Sequence, residues 1–130
     1  MAALRIALAA IAVLGLAATA WAAPDPVPDR VQVRGTEYDL TLSKQKLRPG
    51  RAIVQFLNDG EDPHDLRVQR LGATGLPEGP ELTIGVVEPG AYENLDAHLR
   101  KRSTYLLWCS LSDHRQLGME ANLRTKKRRR

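Results

Sequence analysis

The chain has 130 residues, 26% charged and 43% apolar, an ordinary balance for one globular domain. Its 19 basic and 15 acidic residues give a formal charge of +4, but residues 126–130 are all Lys or Arg, so the remainder is close to neutral and presents no basic face for specific nucleic-acid binding. A single cysteine excludes a disulfide within the chain.

At the N-terminus, Arg5 precedes an uncharged run over residues 6–23, rich in Ala and Leu, and Ala20-Trp21-Ala22 fits the small-x-small rule for signal cleavage. Residues 1–22 are read as an export signal, which places the mature chain in a periplasm or outside the cell. The uncharged run of 18 residues stands at the lower limit for a membrane span, so an uncleaved anchor is the lesser alternative. Export bears on Cys109, the lone cysteine: in an oxidising compartment an unpaired thiol needs burial or a metal. Residues 23–30 form a Pro-rich extended leader.

From residue 31 the pattern becomes that of short strands. Val31, Val33, Tyr38, Leu40 and Leu42 are apolar at two-residue steps, interrupted at Gly35-Thr36, which suggests one strand with a bulge at Gly35. Residues 44–48 are polar, and Pro49-Gly50 signals a turn. Residues 52–57 are rich in β-formers and read as a buried strand. A loop over 58–63 then delivers His64 to a strand in which Leu66 and Val68 share one face. Residues 71–90 are rich in Gly and Pro, with one short strand at 82–87 and a turn at Pro89-Gly90. Leu95, Ala97 and Leu99 alternate with polar residues, so His98 belongs to a solvent face and is read as structural. Residues 104–109 form a strand that ends on Cys109, and residues 120–125 form the last. No helical period or internal repeat is evident after the signal. The expected fold is all-β, a Greek-key sandwich of about seven or eight strands over residues 31–125, followed by a solvated basic tail at 126–130.

The chemistry concentrates on the loop between the last two strands. Four residues separate Cys109 from His114, and four separate His114 from Met119. A thiolate, an imidazole and a thioether suit a soft, redox-active metal, and two His, one Cys and a weak axial Met make a mononuclear copper site. His64 is placed to supply the second imidazole. The bland alternative is a buried apolar thiol beside an unrelated surface histidine and a core methionine.

Two segments resemble the cupredoxins, the blue-copper family that includes plastocyanin and azurin. Phe56-Leu-Asn58-Asp-Gly60-Glu-Asp-Pro63-His64-Asp65 is similar to the family's approach to its first copper histidine, and the Cys109/His114/Met119 loop with the preceding Trp108 is similar to its ligand loop. Pro89-Gly90 before a strand fits the family's usual turn. The resemblance implies one type 1 copper ion, Cu(I) or Cu(II), held by His64, Cys109, His114 and Met119, in an electron carrier rather than an enzyme. It also implies transient docking of redox partners near His114, with Arg115, Gln116 and Leu117 on the docking face, and a monomer. Asp65 departs from the family, which usually has Asn there to tie the two ligand loops together. Asp65 can accept from backbone N–H groups of the 110s loop but, when ionised, cannot donate, and its charge would lower the reduction potential. Copper delivery and a metal-free interaction module are the alternatives. Multicopper oxidases need more histidines than the three present, and a dinuclear purple centre needs a second cysteine. The tail would at most make weak contact with an anionic membrane.

Overall fold

The structure, a computed structural model, describes residues 21–127. The alternating stretches become nine strands: β1 (Asp29–Thr36), β2 (Asp39–Leu42), β3 (Lys46–Leu47), β4 (Gly50–Asn58), β5 (His64–Arg70), β6 (Leu82–Val87), β7 (Tyr92–Leu99), β8 (Thr104–Trp108) and β9 (Glu120–Thr125). They form a four-stranded sheet, β2-β1-β4-β7, and a five-stranded sheet, β3-β9-β8-β5-β6. The chain changes sheet after β2, β3, β4, β6 and β7, so neither sheet can form from one continuous stretch. The export segment expected at 1–22 lies almost wholly outside the described residues, as do residues 128–130 of the tail. Among the described residues no helix is long and apolar enough to cross a membrane.

Alternation sets the core. Val31 and Val33 of β1, Val54 and Phe56 of β4, Leu66 and Val68 of β5, Leu107 of β8 and Leu123 of β9 are buried between the sheets. Each such side chain contributes about 1.5–3 kcal/mol on burial. The two sheets therefore hold together mainly through aliphatic packing, with Phe56 as the one large ring fully buried.

Two expectations are corrected. The 31–42 run is a hairpin rather than one bulged strand: Thr36 pairs with Asp39 across the two-residue turn Glu37-Tyr38. Gly35 pairs regularly with Leu40 on one side and Asn58 on the other. Its lack of a side chain serves packing instead, because a Cβ there would stand 2.8 Å from the Phe56 ring and 3.1 Å from Met119 Cε. The strand count is nine because the hairpin yields two and because Lys46–Leu47, inside a run read as polar, pairs in parallel with β9 while Leu47 is fully buried. His98 is exposed on β7, as expected.

Candidate metal centre

One end of the sandwich gathers the start of β5 and the loop from β8 to β9. Trp108 pairs with Glu120 at the last rung of β8 and β9, and the Cys109 N–H donates to the Met119 carbonyl at 3.1 Å, which closes the neck of the loop. Within it the His114 N–H donates to Leu111 O at 3.1 Å and the Met119 N–H to His114 O at 3.0 Å. Cys109 and His114 are thus placed by a tightly hydrogen-bonded turn rather than a slack loop.

His64 comes from the other side. The register of β5 against β6 shifts between His64, opposite Val87, and Leu66, opposite Ile84. Two β6 residues, Gly85 and Val86, therefore face the single Asp65, and a bulge of this kind re-aims side chains. The extra residue belongs to β6, where Gly85 and Val86 are both exposed, while on β5 His64, Asp65 and Leu66 are all buried in succession. The loop ahead of His64 is anchored by Asn58, itself fully buried. Its amide donates to Asp62 O and Val87 O, both at 2.8 Å, and its Oδ1 accepts from the Gly60 N–H at 3.0 Å. Among the described residues no buried side-chain nitrogen or oxygen lacks a partner.

The result is a cluster of three donor atoms, all within 4.8 Å of one another. His64 Nδ1 lies 3.2 Å from His114 Nδ1 and 3.9 Å from Cys109 Sγ, and Cys109 Sγ lies 3.6 Å from His114 Nδ1. A first-row metal takes imidazole nitrogen at about 2.0 Å and thiolate at about 2.3 Å, so donors sharing one in a plane stand about 3.5–3.7 Å apart. The observed spacings fit that triangle. His64 and Cys109 are fully buried and His114 is half-buried. Burial pushes the Cys109 thiol up, while hydrogen bonds from the backbone of Asp65 and Leu111 work against it. A cation entering the cluster would displace the thiol proton, since the thiolate is the ligand form.

Met119, the fourth expected ligand, is fully buried at the end of the same loop, with its methyl group near Gly35 and Phe56. The three donors come together at one end of the sandwich, and Met119 closes the loop that carries two of them.

No protein-family model matches the chain, and no curated protein matches it in sequence. Solved structures do match it. The dithionite-reduced auracyanin of the photosynthetic bacterium Roseiflexus castenholzii is similar with a TM-score of 0.60 at 16% identity, over 77% of this chain and 98% of that one. Auracyanin A of the green thermophilic photosynthetic bacterium Chloroflexus aurantiacus, a blue copper protein, gives 0.59 at 17% identity, over 77% of this chain and 100% of that one. The chain has the cupredoxin fold. A multicopper oxidase of Campylobacter jejuni also contains the fold, with a TM-score of 0.52 at 13% identity, but the match spans 80% of this chain and only 31% of the oxidase.

Within the cupredoxin frame, Asp65 does what its chemistry allows. It accepts from the Ser110 N–H at 2.6 Å and from the Ser110 hydroxyl, so it ties the His64 strand to the residue after Cys109. The Arg67 guanidinium donates to it at 3.1 Å and reaches on to Glu81 at 3.0 Å. Burial favours the protonated acid, but the Ser110 and Arg67 bonds outweigh it and hold the carboxyl below its usual range. Two neighbours of the cluster were not read from the sequence. Glu37, on the β1–β2 turn, accepts from His64 Nε2 at 3.0 Å. Tyr38 beside it packs on the His114 ring, with centroids 4.9 Å apart. The Asp62 N–H leads the contacts that lower the Glu37 carboxyl to about 2, and His64 and the Glu61 N–H add to it against the effect of burial. No local pattern signals either contact, because Glu37 and His64 are 27 residues apart.

Proposed function

We propose that the chain is an exported electron carrier, with one copper ion held by His64, Cys109 and His114 and by Met119 as a weak axial donor. The observation that carries this reading is the triangle of two imidazole nitrogens and one thiol sulfur, inside a sandwich whose neighbours include a blue copper protein. Copper in such a set cycles between Cu(I) and Cu(II) and so carries one electron. The chain's part is to keep the donors in one arrangement in both states. The Asp65–Ser110 bonds, the Asn58-anchored loop and the closed 109–119 loop all resist rearrangement. The buried faces of His64, Cys109 and Met119 exclude water. An electron carrier needs a site with little to rearrange, whereas an enzyme of this chemistry needs a coordination position open to substrate.

The half-buried His114 provides the route to the surface. Around it Leu117 is 52% exposed, and Arg115 stacks over Trp108 at 5.0 Å while donating to Glu120 at 3.0 Å. This apolar and mixed-charge patch suits brief docking of a redox protein through a small interface. The carrier acts as a monomer, and the basic residues at 126–130 have at most weak attraction to anionic lipid.

Carriage and copper delivery separate by kinetics. The copper-loaded protein should exchange its electron with a one-electron redox protein far faster than it yields Cu(I) to a competing chelator. Rapid copper release with sluggish electron exchange would favour delivery and overturn the carrier reading.

A further inference from the structure

The turn between β1 and β2 is only two residues long, and both of its side chains reach the cluster. Tyr38 packs on one imidazole and Glu37 holds the other. A single oxygen of Glu37, Oε1, accepts from the Glu61 N–H at 2.8 Å, the Asp62 N–H at 2.8 Å and His64 Nε2 at 3.0 Å. Gly60 makes room for it, since a Cβ at that position would collide with the carboxylate. The Glu37 side chain is 28% exposed and His64 is fully buried, so the carboxylate closes the outer side of the ring.

An ionised carboxylate accepts hydrogen bonds and donates none. His64 must therefore carry its proton on Nε2 to bond with Glu37, which leaves the lone pair on Nδ1. Nδ1 is the atom that faces Cys109 Sγ and His114 Nδ1. The geometry points to Glu37 as a positioning residue that fixes the His64 tautomer and ring orientation before any metal arrives, and that makes Nδ1 a stronger donor through its negative charge. A carboxylate behind a ligating imidazole acts in this way in many metal sites. The inference deepens the copper reading and rests on it for its second consequence, the preference for the more positive oxidation state. Its first consequence, the tautomer, belongs to the metal-free protein.

The alternative is that Glu37 only secures the 59–63 loop, which would account for the Glu61 and Asp62 bonds but demands nothing of the imidazole. Long-range proton–nitrogen NMR of metal-free protein with labelled histidine separates the two. Wild type should show His64 with a protonated Nε2 and a bare Nδ1. Glu37→Gln should retain that tautomer, because its amide oxygen is held by the same two backbone N–H groups and still accepts from Nε2. Glu37→Ala should give an averaged or reversed pattern. After copper loading, Glu37→Gln should raise the reduction potential, and Glu37→Ala should weaken Cu(II) binding about 10–100-fold. Glu61→Gln, an exposed carboxylate on the same loop, should change neither readout. A wild-type proton on Nδ1, or a Glu37→Ala protein whose His64 stays wholly Nε2–H, would overturn the assignment. Should copper fail to bind through the thiolate at all, the carrier reading falls, yet the tautomer comparison still decides what Glu37 does.

Discussion

Asp65 and Asp29 stand at opposite ends of the sandwich and make similar bonds. Asp65 takes the Ser110 N–H, the Ser110 hydroxyl and the Arg67 guanidinium. Asp29, at the start of β1, takes the Arg30 N–H at 3.0 Å, the Lys44 ammonium at 3.1 Å and the Arg48 N–H at 2.9 Å. Both carboxyls are held below the usual range, Asp29 at about 2. Hydrogen bonding alone does not tell the functional carboxylate from the structural one. What differs is what each joins. Asp29 ties framework loops together at a partly wetted rim. Asp65 is buried and joins the strand of His64 to the loop of Cys109, so strain in it would be felt by two donors at once.

The largest effect is expected at Asp65. Asp65→Ala leaves the Ser110 N–H without its acceptor and Arg67 with Glu81 alone as its carboxylate partner, which should cost about 2–4 kcal/mol in denaturant unfolding of the metal-free protein. A loss below about 0.5 kcal/mol would mean that water replaces the carboxylate freely. Asn58→Ala tests the same end through a neutral group. Removing its three bonds, one buried and two partly buried, should cost about 1–3 kcal/mol and should speed amide exchange at Gly60 ahead of the β4 core.

At the other end, Asp29→Asn should cost about 1 kcal/mol at pH 7, a figure discounted for solvent screening around Lys44 and Arg48. Burial favours the protonated acid, but the Arg48 N–H, the Lys44 ammonium and the Arg30 N–H bring the folded value from 3.8 to about 2. A depressed folded value means that the contribution is full above the unfolded value and fades as pH falls through the folded one. The gap between wild type and Asp29→Asn should therefore narrow between about pH 4 and pH 2 in acid titrations of stability. A gap independent of pH would show that the charge is not what matters.

The smallest effect sharpens the contrast. Asp65→Asn should raise the reduction potential of the copper-loaded protein, because a negative charge near the cluster is removed, while Asp29→Asn should leave it unchanged. Arg67 already offsets part of the Asp65 charge, so the rise should be modest. An unchanged or lower potential in Asp65→Asn would contradict this account of the charge.

Strand alternation from residue 50 onward was legible because one face of each strand meets the core, and the period of two writes that into the residues. The grouping of Cys109 with His114 was legible because the two are close in sequence, and that of His64 because the segment from Phe56 to Asp65 carries a recognisable pattern. The β1–β2 hairpin was not, since Glu37-Tyr38 contains none of the Gly, Asn or Asp that usually mark a two-residue turn. Lys46–Leu47 was missed because two residues show no period. The Glu37–His64 and Tyr38–His114 contacts were invisible for a different reason: they exist only once the β1–β2 turn has met β5 and the β8–β9 loop, and no spacing along the chain encodes them.

These donors are expected to bind copper through the thiolate. Visible absorption and electron paramagnetic resonance after addition of Cu(II), on wild type and on Cys109→Ser, test it most directly. Wild type should show an intense blue or green thiolate-to-copper band, bleached by ascorbate and absent from Cys109→Ser. A colourless wild-type protein with only weak, nonspecific copper signals would contradict it.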